Sequence, residues 1–347
     1  MAKALDALAE YDAAFAAMKN GNDLCGALES QPISENSLRR RVETFRSLFT
    51  PEWVAQCESI EPAEAAPVFL VGFPRSGTTL LEQVLDAHPG IQALEEPPTI
   101  AMVLRQATAW MNVNAKKDGA LKVTQGWKQQ WMASFDYMSK LTDVQVKELR
   151  QTYYKVVNER VRQDKGRLLL DKMPLNTVDI GFILRLFPNA KFIVALRHPC
   201  DCVLSGYMQS FQMNDAMANF LELDSAASFY RNVMKLLWQY QDVFDLKGQV
   251  CTVRYEDLLD DFKGQAGRLL EFLGLDWDDA VTRYDEHAKA RGTLATPSYQ
   301  GVTQKIYSTS KERWRHYAKW MEPVLPHFHE AAERYGYDLS MPPADTL

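Results

Sequence analysis

The run Val68-Phe-Leu-Val-Gly-Phe-Pro-Arg-Ser-Gly-Thr-Thr-Leu80 constrains this chain more than any other part of it. Val68–Gly72 has no polar break and lies between proline and glycine, the pattern of a strand buried on both faces of a parallel sheet. Gly72 and Gly77 then follow the spacing of the G-x-x-x-x-G-K-[ST] phosphate loop, but Thr78 stands where nucleotide triphosphatases place the lysine that reaches the terminal phosphates. Arg75 keeps a cation inside the loop, so the segment still asks for an anion, presented differently from the tail of ATP. Loop glycines let backbone N–H groups face an anion, and the helix that follows adds its positive end. Arg75, Ser76, Thr78 and Thr79 supply side-chain donors. A turn without a ligand would need only the glycines, and the coincidence of strand, arginine, hydroxyls and helix favours binding.

Further apolar runs at Leu168–Leu170, Phe192–Leu196 and Val250–Val253 alternate with helical patterns at Thr79–Ala87, Val144–Arg162, Thr177–Leu186, Asp201–Gln209 and Ser225–Phe244. This alternation predicts an α/β fold, a P-loop-like doubly wound parallel sheet flanked by helices, with its ligand at the strands' carboxyl ends. Ahead of it, residues 3–19 read as a helix ended by Asn20-Gly21-Asn22, and residues 35–49 as a second helix with Ser34 or Asn36 near its start. The expected organisation is a helical appendage over 1–60, a linker over 61–67 and a catalytic domain over 68–340. With 347 residues and 46% hydrophobic content, the chain can bury a core of that size.

A net charge of −6 argues against a broad nucleic-acid footprint and for a pocket with a few local cations. The five cysteines lack zinc spacings and fit reduced thiols in the cytoplasm. Neither Cys200/Cys202 nor His327/His329 has the partners of a metal site. The sequence contains no apolar stretch suited to membrane insertion and no signal-like start. A homodimer is left open, with no interface signal for it.

A second cluster, Phe192-Ile-Val-Ala-Leu-Arg-His-Pro-Cys-Asp-Cys-Val-Leu-Ser205, brings Arg197 to the end of a buried strand. Pro199 breaks the chain, Asp201 is placed to cap the next helix, and Ser205 follows about a turn in. Alone, Arg197 would read as a salt-bridged strand end. Beside the first loop it makes a second anion site, which suits a nucleotide with separated phosphates.

These residues resemble the sulfotransferases that use 3′-phosphoadenosine 5′-phosphosulfate (PAPS). Pro74-Arg-Ser-Gly-Thr-Thr79 resembles their 5′-phosphosulfate loop, and Arg197 through Ser205 their 3′-phosphate motif. The likeness continues through Ala87-His88-Pro89, Glu95-Glu96, Asp171-Lys172-Met173-Pro174 and Val253-Arg-Tyr-Glu-Asp-Leu258, covering most of residues 68–320. It is nearest to bacterial members that follow tetratricopeptide repeats and is similar to protein-tyrosine sulfotransferases. Leu80 replaces the tryptophan that cytosolic members place after the two threonines, which leaves adenine stacking unassigned.

By this resemblance the chain moves a sulfuryl group from PAPS to an acceptor hydroxyl, releasing adenosine 3′,5′-bisphosphate without a metal. Arg75 would contact the sulfuryl group and 5′-phosphate, while Ser76, Gly77, Thr78 and Thr79 belong to the loop that wraps the phosphate. Arg197 and Ser205 would hold the 3′-phosphate. Tyr255 would lie beside the base, although core packing accounts for it as well. Glu96 falls where the tyrosine-sulfotransferase-like enzymes have their general base; His88, in its Ala-His-Pro setting, reads as structural. Lys172 would donate to the bridging oxygen, where charge develops. Ser310 falls in the segment that closes over the nucleotide, with Lys305 and Arg313 as weaker candidates there, and a capping serine in a loop reads equally well.

Trp110, Trp127, Trp131, Phe135 and Tyr137 are either core or part of an acceptor wall. No residue chooses among peptide tyrosine, sugar, lipid and small phenol. Two rivals remain: a P-loop kinase with a relocated lysine, and an inactive nucleotide-binding adaptor.

Overall fold

Val68–Gly72 (β1), Ile91–Glu95 (β2), Leu168–Lys172 (β3), Lys191–Leu196 (β4) and Val250–Arg254 (β5) pair in the order β2-β3-β1-β4-β5, each neighbouring pair parallel. The computed structural model describes residues 1–28, 37–122, 126–164, 166–291 and 311–342. The sheet is covered on both faces, as the apolar runs require. Along β1, Val68 and Leu70 face one core together with Leu80, Leu81, Val84 and Leu85 of the helix Thr78–Asp86, while Phe69 and Val71 face the other. Side-chain alternation along a strand sorts these residues to opposite layers.

β2 was not among the expected strands. Its sequence Ile-Gln-Ala-Leu-Glu carries a glutamine in the middle of a buried segment. Tertiary contacts satisfy that amide: Gln92 donates to the Arg162 carbonyl and accepts from the Asp164 N–H, both at 3.0 Å.

The first helical segment also differs from expectation. The chain breaks at Ala9, with φ +60°, and a helix then runs from Tyr11 to Ala27 straight through Asn20-Gly21-Asn22. Packing overrides the local stop signal. Phe15 stacks on Tyr207 and Trp320, and the Asn22 amide donates to the Tyr207 carbonyl at 3.1 Å. The second helix is described over Ser37–Leu48, and the expected start at Ser34 or Asn36 lies outside the described residues. Its Phe45 and neighbouring Phe49, both 0% exposed, belong to the same core as Phe69 and Val71 of β1. Residues 61–67 are held to the sheet domain by bonds from Arg150 to the Glu61 carbonyl, Tyr154 to Ala65 and Asn189 to Ala63.

The aromatics considered for an acceptor wall pack mostly on this N-terminal layer. Phe135 meets Phe45 edge-on, Trp131 meets Phe135, and Arg40 lies over Trp127. Among the described residues no helix is long and apolar enough to cross a membrane.

Candidate active site

The strand order fixes what stands next to what along the carboxyl edge of the sheet. From one side to the other it presents Glu96 after β2, Lys172 ending β3, the glycine loop after β1, Arg197 after β4 and Tyr255 after β5. Residues more than a hundred positions apart in sequence thus share the carboxyl edge of one sheet, the edge at which open α/β sheets bind their ligands.

The loop is shaped for close approach. A Cβ on Gly72 would lie 2.6 Å from the Ala195 carbonyl oxygen and 2.7 Å from Ser76 Oγ, so only glycine fits there. Gly77 adopts φ +95° at the helix start and provides no side-chain cap, and a Cβ on it would meet Tyr255 Cδ2 at 2.8 Å. Ser76 Oγ is buried with no partner among the described residues, and Thr78 and Thr79 are buried in the first turn beyond it. Uncapped N–H groups at the start of a nine-residue helix, beside an orphaned hydroxyl, form a cradle suited to an anion. Thr177 braces the end of β1 by donating to the Gly72 carbonyl at 2.8 Å.

The two cationic segments are joined. Arg75, at φ +72°, donates through Nε to Ser205 Oγ at 3.0 Å, and Arg197 donates to the Arg75 carbonyl at 3.2 Å. The Arg197 guanidinium also lies over the Tyr255 ring, 5.1 Å from its centroid. Asp201 does not cap the helix Pro199–Tyr207 as expected. It lies within the first turn, accepts the Trp314 N–H at 2.9 Å and stands 3.9 Å from Arg197. His198 occupies the cap position, and Pro199 opens the helix.

On the other side of the loop, Lys172 is 0% exposed with two carboxylate neighbours. Its Nζ lies 2.8 Å from Glu96 Oε1 and 3.1 Å from Glu82 Oε2. Burial opposes the lysine charge, but Glu82 and Glu96 outweigh it and hold the ammonium above the ordinary lysine pKa. Glu96 is fixed twice, since its backbone N–H also donates to the Lys172 carbonyl at 2.9 Å. Its φ of +42° is costly for a residue with a side chain, and such conformations concentrate at functional sites. Asp171 points to the opposite face, where it accepts from Thr99 at 2.7 Å and Tyr153 at 2.8 Å.

Sequence reasoning brought nearly all of these residues to the same edge but passed over Glu82. The available signal was a charged residue on the buried face of the loop helix, three and four positions after Thr79 and Thr78. Two other candidates stand elsewhere. Both His88 ring nitrogens are engaged, with the Asp276 carbonyl and the Gly90 N–H at 3.0 Å each. Arg313 is paired with Asp6, which also accepts from Tyr317. Ser310 and Lys305 lie outside the described residues. Among the described residues no group of three His, Cys, Asp or Glu side chains is arranged to hold a metal ion.

A model of the sulfotransferase family matches residues 67–279, which include β1 and its loop, Glu96, Lys172, Arg197 and Tyr255. The chain belongs to the sulfotransferase family. This sulfotransferase is similar to an uncharacterized Aquifex aeolicus protein, 27% identical over 324 residues, covering 93% of the chain and 40% of that relative. It is also similar to protein-tyrosine sulfotransferase 1 of Danio rerio, 24% identical over 277 residues, covering 80% of the chain and 70% of the relative. Among solved structures, a Mycobacterium avium sulfotransferase aligns over 88% of the chain and 85% of its own, with 18% identity and a TM-score of 0.46.

Proposed function

We propose that this sulfotransferase carries the sulfuryl group of PAPS to an acceptor hydroxyl by in-line displacement, with Glu96 as general base. The order of groups along the sheet edge carries the reading: carboxylate and lysine, then anion cradle, then Arg197 with Ser205, then Tyr255. A donor with phosphates at both the 5′ and 3′ positions would use the cradle and the Arg197 side together. That leaves its sulfuryl end toward Lys172 and Glu96. ATP has no 3′-phosphate to bring to Arg197.

The acceptor oxygen forms a bond to sulfur as the bond from sulfur to the bridging oxygen breaks, and the acceptor proton passes to Glu96. The departing electron pair stays on the bisphosphate, where Lys172 and Arg75 meet the developing charge. Glu96 suits the base role because its side chain is 38% exposed and so open to an acceptor, whereas Glu82 is enclosed. The acceptor itself is a hydroxyl of open identity. The free cysteines support a reducing, cytoplasmic setting.

Calorimetry tests the reading. Adenosine 3′,5′-bisphosphate is expected to bind without magnesium and more tightly than ATP with it. Preference for ATP and magnesium would turn the assignment to a kinase. Tight bisphosphate binding without transfer of radiolabelled sulfate to any lysate acceptor would turn it to an inactive adaptor.

A further inference from the structure

We infer that Glu82 is a positioning residue of the transfer reaction, holding Lys172 in place and supplying its counter-charge when Glu96 takes up the acceptor proton. The inference rests on the reading of Glu96 as base. It starts from the alternation of β3, which turns Lys172 toward the layer of the loop helix and Asp171 away from it. Glu82 of that helix is 0% exposed and reaches Lys172 Nζ at 3.1 Å; Glu96 reaches the same nitrogen at 2.8 Å from the other strand end.

Two carboxylates on one buried lysine look redundant until the reaction is followed. Before transfer, Glu96 is charged and shares the ammonium. Once Glu96 accepts the proton it is neutral, and without Glu82 a lysine 0% exposed would have only the bridging oxygen, whose charge is still developing, as an anionic partner. A buried lysine in that position surrenders its proton readily. Glu82, enclosed and away from the acceptor side, keeps its charge throughout. An ammonium has three donors, so two carboxylate partners leave one for the bridging oxygen.

Glu82 also lies in the helix whose first turn forms the anion cradle, so the segment that holds the donor is the one that aims the lysine. The surrounding charges do not replace it. Asp171 faces the opposite layer with Thr99 and Tyr153, Asp86 is engaged by His287 at 2.7 Å, and Asp285 is paired with Lys289.

The test reads Lys172 directly, through the pH titration of its side-chain 13Cε resonance in the full chain, assigned with Lys172→Met. Glu96→Gln imitates the glutamate after proton capture. In that variant Lys172 is expected to remain charged through pH 9. In the double variant Glu82→Gln/Glu96→Gln its midpoint should fall by about two pH units or more below that of Glu96→Gln alone. Binding of adenosine 3′,5′-bisphosphate, expected within a few-fold of the parent in each variant, confirms the fold.

A double variant that titrates like Glu96→Gln would overturn the inference, as would loss of the Lys172 charge below pH 8 in Glu96→Gln alone. If the double variant does not fold, Glu82→Asp in the Glu96→Gln background must still lower the Lys172 midpoint by withdrawing the carboxylate one methylene, and no change overturns the inference equally. Parental turnover in Glu96→Gln would end the base reading by itself, and the titrations would still decide what Glu82 does to Lys172.

Discussion

Arg75 Nε donates to Ser205 Oγ across 3.0 Å, so the anion segment after β1 and the one after β4 hold each other. Whatever binds one segment meets groups placed by the other. Ser205→Ala removes the acceptor for Arg75 and a donor from the second anion site. Loss of one hydrogen bond to a charged group corresponds to about ten- to a hundredfold weaker binding of adenosine 3′,5′-bisphosphate. Adenosine 5′-monophosphate, lacking the 3′-phosphate, should lose much less. Calorimetry with both nucleotides checks this, and an equal loss for both would move Ser205 to the 5′ end of the ligand.

Glu96→Gln keeps the side-chain shape and removes the proton acceptor. The expected result is a fall in kcat of about 10²–10⁴-fold, the usual contribution of a positioned base. Bisphosphate affinity should change little, because the cradle and Arg197 are on the far side of Lys172. Single-turnover assays with labelled PAPS and a responsive acceptor measure it, and an unchanged rate removes the assignment.

β1 and β4 were legible because almost every position in them is apolar and buried. β3 and β5 open on apolar residues, although β3 ends in Asp171-Lys172 and β5 alternates half-buried with buried positions, and all four strands end within two residues of expectation. β2 was not legible, since Gln92 looks like a loop residue until the Arg162 carbonyl and the Asp164 N–H are brought to it. The same limit explains Gly21, which reads as a helix stop but lies within Tyr11–Ala27 because Phe15 and Asn22 are anchored on Tyr207 and its neighbours. In the site, the glycines, Arg75 and Arg197 announce themselves by motif. Glu82 does not: its meaning depends on Lys172, ninety residues later, turning toward it across the sheet.

Phe49 measures how strongly the N-terminal helices belong to the sheet's core. It is 0% exposed, meets Phe45, Trp53 and Tyr240 edge-on, and sits so close to Gly181 that a Cβ there would be 2.5 Å from its Cζ. Phe49→Ala leaves a cavity between the N-terminal layer and the helix Ile180–Leu186, at a cost of about 3–5 kcal/mol. Because that core also contains Phe69 and Val71, we expect urea unfolding to shift as one transition, with nucleotide protection lost along with it. A separate early transition would instead mark the N-terminal helices as an independent unit.

Asp171 gives the protein a pH dependence whose sign can be worked out. Burial lifts its carboxyl from the ordinary 3.8 to about 6, against the lowering effect of the Thr99 and Tyr153 hydroxyls and of Lys172. The folded protein therefore holds this proton up to about pH 6, whereas the unfolded chain releases it near pH 4. Folding favoured by the bound proton is fully present below the unfolded value and is lost as pH rises through the folded one. The loss is on the order of 3 kcal/mol. Other carboxylates titrate in the same range, so the informative quantity is a difference between proteins. Asp171→Asn keeps an oxygen for Thr99 and Tyr153 and removes the ionisation. Urea midpoints measured from pH 4 to pH 7 should show the parent losing stability relative to Asp171→Asn, with most of the change between pH 4 and 6. The opposite slope would mean that the hydroxyl donors and Lys172 outweigh burial and keep Asp171 ionised inside the fold.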